Sequence, residues 1–162
     1  MKIIKNQNPV RLFPTILLTG ALLAIPVAWA EAGEEVLDDA TFGKLSVQRT
    51  TDEPKGVVLF AAGTGGWTAE LTTVAKAVAE LDYVVASIDL NDYLTRLDRA
   101  GAACANPAAD FDQLNRLMEQ RYPIATHQPP ILLGYGAGAA LTYAALAQAT
   151  ADQVHAGVGV DF

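Results

Sequence analysis

The segment Pro130-Ile-Leu-Leu-Gly-Tyr-Gly-Ala-Gly-Ala139 has the spacing that points most directly to chemistry. Its short apolar run reads as a buried strand, and the alanine-rich stretch from Ala137 reads as a helix. Between them stands Gly134-Tyr135-Gly136-Ala137-Gly138, the form of the nucleophile elbow G-x-S-x-G. In that motif small residues flank a serine on a sharp strand-to-helix turn, so that its hydroxyl stands exposed above the sheet. Here the nucleophile position is Gly136. Glycine has no side chain to attack a carbonyl. The frame of a hydrolase is present and its nucleophile is not.

A second glycine-rich loop, Gly63-Thr64-Gly65-Gly66-Trp67, follows an earlier apolar run. In hydrolases built on an elbow, a loop after an earlier strand supplies an oxyanion-hole N–H, and the residue after the nucleophile supplies another. Gly65, Gly66 and Ala137 are the donors of that type here. A dinucleotide site is the alternative: Gly134-x-Gly136-x-x-Ala139 fits G-x-G-x-x-G/A, and Asp161 follows about 20 residues on, where a ribose-binding acid is wanted. The earlier loop fits less well, because Thr68 replaces the third glycine and Trp67 would crowd a pyrophosphate. One hydrolase architecture explains both loops, so no cofactor is expected. Asp161 is also a weak candidate for a triad acid, although a strand-end turn residue accounts for it better. His127 and His155 have no metal-ligand spacing. The second precedes the last strand and so falls at the wrong end of the sheet for a base. Cys104 is the single cysteine. Either it has a partner elsewhere, or it is a buried thiol acting as a small hydrophobe.

The elements that must position these residues alternate. Lys44–Thr50 reads as a first, edge strand, and Gly56–Ala61 as a strand covered on both faces. Thr68 caps a helix with Leu71, Val74, Ala75, Val78 and Ala79 on one side. Tyr83–Ile88 is the next strand, followed by a polar, irregular stretch to Pro107. Asp110, with Gln113 three positions on, forms a capping box before the stripe Phe111, Leu114, Leu117 and Met118. Pro130–Leu133, a helix over Ala137–Ala149 and a strand over Val154–Val160 complete the pattern. Such alternation predicts an α/β fold with a mostly parallel sheet and right-handed crossovers, a partial hydrolase-like three-layer sandwich. Its last strand would leave an unpaired edge and an uncovered apolar face.

The N-terminus reads as an export signal, residues 1–30. Lys2, Lys5 and Arg11 precede an apolar run from Leu12 to Ile25, and Ala28-Trp29-Ala30 gives the small-x-small pattern of a cleavage site. The run is short of the ~20 residues a membrane span needs. Cleavage after Ala30 leaves a domain over residues 31–162, exported to the periplasm. The first thirty residues hold three of the 11 basic residues and none of the 18 acidic ones, so the remainder carries a net charge of −10. That charge argues against a nucleic-acid partner and against direct attraction to anionic membrane.

Taken together, the motifs Gly56-Val-Val-Leu-Phe-Ala-Ala-Gly-Thr-Gly-Gly-Trp67, Ile88-Asp-Leu-Asn-Asp-Tyr-Leu94, Cys104-Ala-Asn-Pro-Ala-Ala-Asp110 and Ile131-Leu-Leu-Gly-Tyr-Gly-Ala-Gly-Ala139 resemble the VirJ/AcvB family of bacterial virulence proteins. The likeness extends into Gly157-Val-Gly-Val-Asp-Phe162 and is strongest to the N-terminal domain of the longer AcvB type. It implies an exported α/β-hydrolase-like protein, with esterase-like activity on aminoacylated phospholipid such as lysyl-phosphatidylglycerol in the catalytic members. It implies a lipid or protein partner at the periplasmic membrane face. It also implies that Cys104 pairs with a cysteine just past residue 162. The family elbow carries serine where this chain has Gly136, and its later strands would hold the triad histidine and acid. The expectation is therefore a truncated, non-catalytic member with a binding or supporting role. The alternative is a fragment of a working serine esterase.

Overall fold

The structure is a computed structural model that describes residues 34–101, 104–124 and 126–161. The predicted export signal and the cleavage site after Ala30 lie outside the described residues. Six strands, β1 (Glu34–Asp39), β2 (Gly43–Gln48), β3 (Gly56–Ala62), β4 (Tyr83–Asp89), β5 (Ile131–Tyr135) and β6 (Ala156–Val160), form one sheet in the order β1-β2-β4-β3-β5-β6. The last four are mutually parallel, while β2 runs antiparallel to both β1 and β4. Four helices connect them: α1 (Ala69–Ala79), α2 (Leu90–Arg99), α3 (Pro107–Arg121) and α4 (Ala137–Gln148). The expected α/β three-layer arrangement is what forms.

Two-residue alternation along the strands divides the core. Val57, Leu59 and Ala61 of β3, with Val84, Ala86 and Ile88 of β4, face Tyr93, Phe111, Leu114, Met118 and Leu141 from α2, α3 and α4. Val58, Phe60 and Val85 face the opposite way, onto Leu71, Ala75 and Ala79 of α1. β3 is buried at every position because helices cover both of its faces, which is why it reads as a continuous apolar run.

Three local expectations are corrected. The strand at Lys44 is β2, an inner strand; the edge belongs to β1, whose Glu-Glu-Val-Leu-Asp-Asp sequence carries almost no β signal. β1 forms because a tight hairpin presents it to β2, with Asp39 accepting from the Thr41 and Phe42 N–H groups at 2.8 Å. The stretch after Asp89 is not irregular. It is helix α2, capped by Asp89 through the Asn91 N–H at 2.8 Å and anchored by buried Leu90 and Tyr93. Finally, the cap of α3 lies four residues earlier than predicted. Asn106 is its N-cap and Pro107 its first residue, where a missing N–H is harmless. Asp110 instead accepts a hydrogen bond of 2.7 Å from the buried Tyr93 hydroxyl, joining α2 to α3. Burial, followed by that bond, pushes the Tyr93 hydroxyl well above its ordinary value. Leu117 of the predicted inner stripe is exposed.

Candidate functional site

The parallel registers bring the carboxyl ends of four strands level. Ala62 lies beside Asp89, Ala61 beside Gly134, and Tyr135 beside Val160. Open α/β sheets bind ligands outside the carboxyl ends of their strands. Both glycine loops, Asp89 and Asp161 converge on this edge.

At its centre Gly136 has φ 55° and ψ −126°, a left-handed conformation that L side chains rarely adopt, and it caps α4 without any side-chain bond. Its N–H donates to Val160 O at 2.9 Å, carrying the β5–β6 pairing into the turn, and its carbonyl accepts from Ala139 at 2.9 Å. This is the strained strand-to-helix turn of a nucleophile elbow. A Cβ placed on Gly136 would meet nothing within 4 Å. The space for a nucleophile exists.

The flanking glycines serve packing. A Cβ on Gly134 would lie 2.5 Å from Ala139 Cα, and one on Gly138 would lie 2.7 Å from Ala61 C and closer still to its oxygen. Only glycine lets α4 descend onto β5 and β3 at these points. The earlier loop abuts the elbow: a Cβ on Gly63 would lie 2.9 Å from Ala137 N and 3.0 Å from Tyr135 O.

Ala137 is the first residue of α4, so its N–H has no intrahelical partner and lies at the positive end of the helix dipole. Of the loop donors expected from the sequence, Gly66 is removed: its N–H donates to Gly63 O at 3.0 Å. Thr64 is exposed, and its carbonyl accepts from Asn91 Nδ2 at 3.3 Å, fastening the loop to α2. Trp67 does not point into a phosphate site. Its ring stands edge-on to Phe60 at 5.0 Å, and its Nε1–H donates to Thr72 Oγ1 at 3.0 Å.

Asp161 reaches the same edge, exposed and with φ 54°. Neither histidine does. The His155 N–H donates to Pro130 O, ahead of β5, and His127 Nδ1 pairs with Glu119 Oε2 at 2.7 Å. Both sit toward the amino ends of the parallel strands. The chain contains no other histidine. Sequence reasoning missed the apolar cavity beside the elbow, about 430 Å³, lined by Phe60, Leu71, Val74, Leu133, Tyr135 and Val160 among others. It lies along the α1 side of the sheet, where β5 and β6 run past the helix; the even-numbered positions of β6 were the available signal.

Cys104 is a free, exposed thiol, which overturns the alternative of a buried small hydrophobe. Among the described residues no cluster of histidine, cysteine and acidic side chains could hold a metal ion, and no helix is long and apolar enough to cross a membrane.

No protein-family model matches this sequence, and no curated protein is similar to it by sequence. Solved structures are. The virulence factor BioJ of Francisella superposes with a TM-score of 0.58 at 14% identity, covering 78% of this chain and 42% of its own. A Klebsiella pneumoniae protein assigned as a dienelactone hydrolase gives 0.57 at 15%, covering 78% and 60%. A thermostable carboxyl esterase of Bacillus coagulans gives 0.53 at 17%, covering 78% and 43%. The fold is that of the α/β-hydrolases. At these identities the likeness establishes architecture alone, and the chain spans 42% to 60% of the length of these three structures.

Proposed function

We propose that this chain is an exported, non-catalytic α/β-hydrolase-like domain of the VirJ/AcvB type, with a binding or supporting role toward a lipid or protein partner in the periplasm. One observation carries the reading: Gly136 holds the elbow backbone with open space above it and no side chain. Acyl transfer by a serine needs a hydroxyl, a base within about 3 Å and an acid that orients the base. The elbow lacks the first, and both histidines lie away from it. What persists is a donor at Ala137 beside an apolar cavity of about 430 Å³, a combination suited to holding an acyl chain or an apolar side chain next to a carbonyl or carboxylate.

A second reading, part of a serine esterase acting on aminoacylated phospholipid, draws support from the intact packing of Gly134 and Gly138. One assay tests the non-catalytic reading. The full chain is incubated with short-chain aryl esters and with lysyl-phosphatidylglycerol vesicles, and a serine-directed phosphonate is used as a probe. The non-catalytic reading expects vesicle binding without turnover or labelling. Turnover by the native chain would refute it. Export is tested separately: material from the periplasm should begin at Glu31, and recovery of only full-length, membrane-bound chain would exclude cleavage.

A further inference from the structure

A cavity of about 270 Å³ opens at the carboxyl end of β4, between the glycine loop and the β1–β2 hairpin. Ser46, Ser87, Trp67, Asp89 and Asp92 wall it, with the exposed Val36 and Lys44 at its mouth. Ser87 shows what the cavity is built to take. It lies on the face of β4 that carries Val85, beside Ser46 of β2 and Phe60 of β3. It is 4% exposed, and its Oγ has no hydrogen-bond partner. The Ser46 hydroxyl next to it is committed to Glu34 Oε1, at 2.7 Å. Leaving a buried hydroxyl unpaired is costly, so nearly all such groups meet a partner.

Two carboxylates stand with that hydroxyl. Asp89 Oδ1 accepts from the Asn91 N–H, but Oδ2, which faces Gly66, accepts no hydrogen bond among the described residues. Asp92, packed against Gly43, likewise accepts none. Lys44 is the one cationic side chain in the wall, and among the described residues it pairs with neither carboxylate. Trp67 has already spent its Nε1–H on Thr72, so what it offers the cavity is ring surface.

We propose that this cavity binds a primary alkylammonium group, with its three N–H donors taken by Asp89 Oδ2, the Asp92 carboxylate and Ser87 Oγ, and its apolar stem laid between Trp67 and Val36. The match is chemical. An ammonium carries three donors and no acceptor, and the unengaged groups of this wall are acceptors. An aromatic ring attracts a cation, and two carboxylates against one lysine leave the wall negative. An organic cation suits the wall better than a metal ion, because among the described residues no three histidine, cysteine or acidic side chains gather. The site lies on the β4 side of β3, whereas the elbow lies on the β5 side. It therefore stands whether or not the elbow is catalytic.

The test titrates the full chain with n-butylammonium chloride and follows it by heteronuclear NMR. The Trp67 indole N–H and the Ser87 and Asp89 amide signals should shift saturably, with a Kd of about 1 mM. Neither n-butanol nor sodium chloride at matched ionic strength should reproduce those shifts. Nα-acetyl-lysine amide, which carries the same stem on a peptide, should bind as well, and the tighter of the two probes tells a free amine from a side chain. Asp89→Asn keeps a residue that caps helices while removing the charge, and it and Asp92→Asn should each weaken binding at least about fivefold. Ser87→Ala should weaken binding about threefold without lowering the melting temperature, because the hydroxyl has no protein partner to lose. Four results would each overturn the proposal. They are no saturable shift with either ammonium at about 20 mM, equal shifts with n-butanol, affinity unchanged in Asp89→Asn and Asp92→Asn, and a Ser87→Ala variant that loses stability but not affinity.

Discussion

Two substitutions two residues apart separate backbone strain from close packing at the elbow. In Gly136→Ser the new Cβ has open space, so the loss comes from holding a non-glycine residue at φ 55°, about 1–3 kcal/mol. In Gly138→Ala the new methyl enters the backbone of Ala61. β3 is paired on both sides, by β4 and β5, and cannot withdraw without disturbing both registers. Overpacking that a side chain can absorb costs about 1–3 kcal/mol, so a clash with fixed backbone belongs at or above about 3 kcal/mol. In urea, with m near 2 kcal/mol per M, the midpoint should fall by about 0.5–1.5 M for Gly136→Ser and by about 1.5 M or more for Gly138→Ala. Fluorescence of Trp67, packed on Phe60, reports the transition. Gly136→Ser is also assayed for ester hydrolysis, and none is expected. An intact site that loses its triad retains about 10³–10⁴ over water from oxyanion donors and binding, but a new hydroxyl without a base adds no nucleophile. A larger midpoint loss for Gly136→Ser than for Gly138→Ala would refute the packing account. Turnover by Gly136→Ser would place a base at this edge and refute the assignment of both histidines away from it.

Other expectations follow from the polar contacts. Tyr93→Phe removes a buried hydroxyl bonded to the Asp110 carboxylate and should cost about 1–2 kcal/mol, measured as a lower urea midpoint. Glu35 accepts from the Arg121 guanidinium and from the Tyr122 hydroxyl at 2.8 Å; the hydrogen bond from Arg121, then that from Tyr122, holds its carboxyl below the ordinary 4.5. A depressed carboxyl stabilises the fold above its unfolded pKa and loses that contribution as pH falls through its folded one. The difference in stability between the native chain and Glu35→Gln should therefore be present at neutral pH, begin to decline as pH falls past 4.5 and disappear only below the lower folded value, and a difference that grows in acid would contradict the pairing. At the alkaline end, burial and then the bond to Glu35 push the Tyr122 hydroxyl up to about 12, so its contribution should fall once pH passes the ordinary 10. Exposed Cys104 should react fully with a thiol reagent in the folded chain, and slow labelling that speeds on unfolding would contradict its exposure.

What was legible in the sequence was whatever a single stretch of chain decides for itself. A run buried on both faces, as in β3, is apolar throughout, and helical periodicity with the Thr68 cap marks α1, although Val74 of its expected stripe is exposed. The elbow was legible for the same reason, since Gly134 and Gly138 stand where only a missing Cβ permits the packing, and Gly136 holds a φ of 55° that favours glycine. The tertiary structure decided the rest. β1 is a strand because β2 pairs with it, and its acidic residues carry no sign of that partner. Asp89 caps α2, a helix the sequence did not announce, while Asp110, read as a cap, receives a hydroxyl from seventeen residues back. Whether an edge of the sheet gathers a triad depends on which ends of the strands the histidines reach. The order of elements already put His155 ahead of the last strand, but register and crossover are properties of the assembled sheet, and only it brought Gly136 and Asp161 to one end and left His127 toward the other.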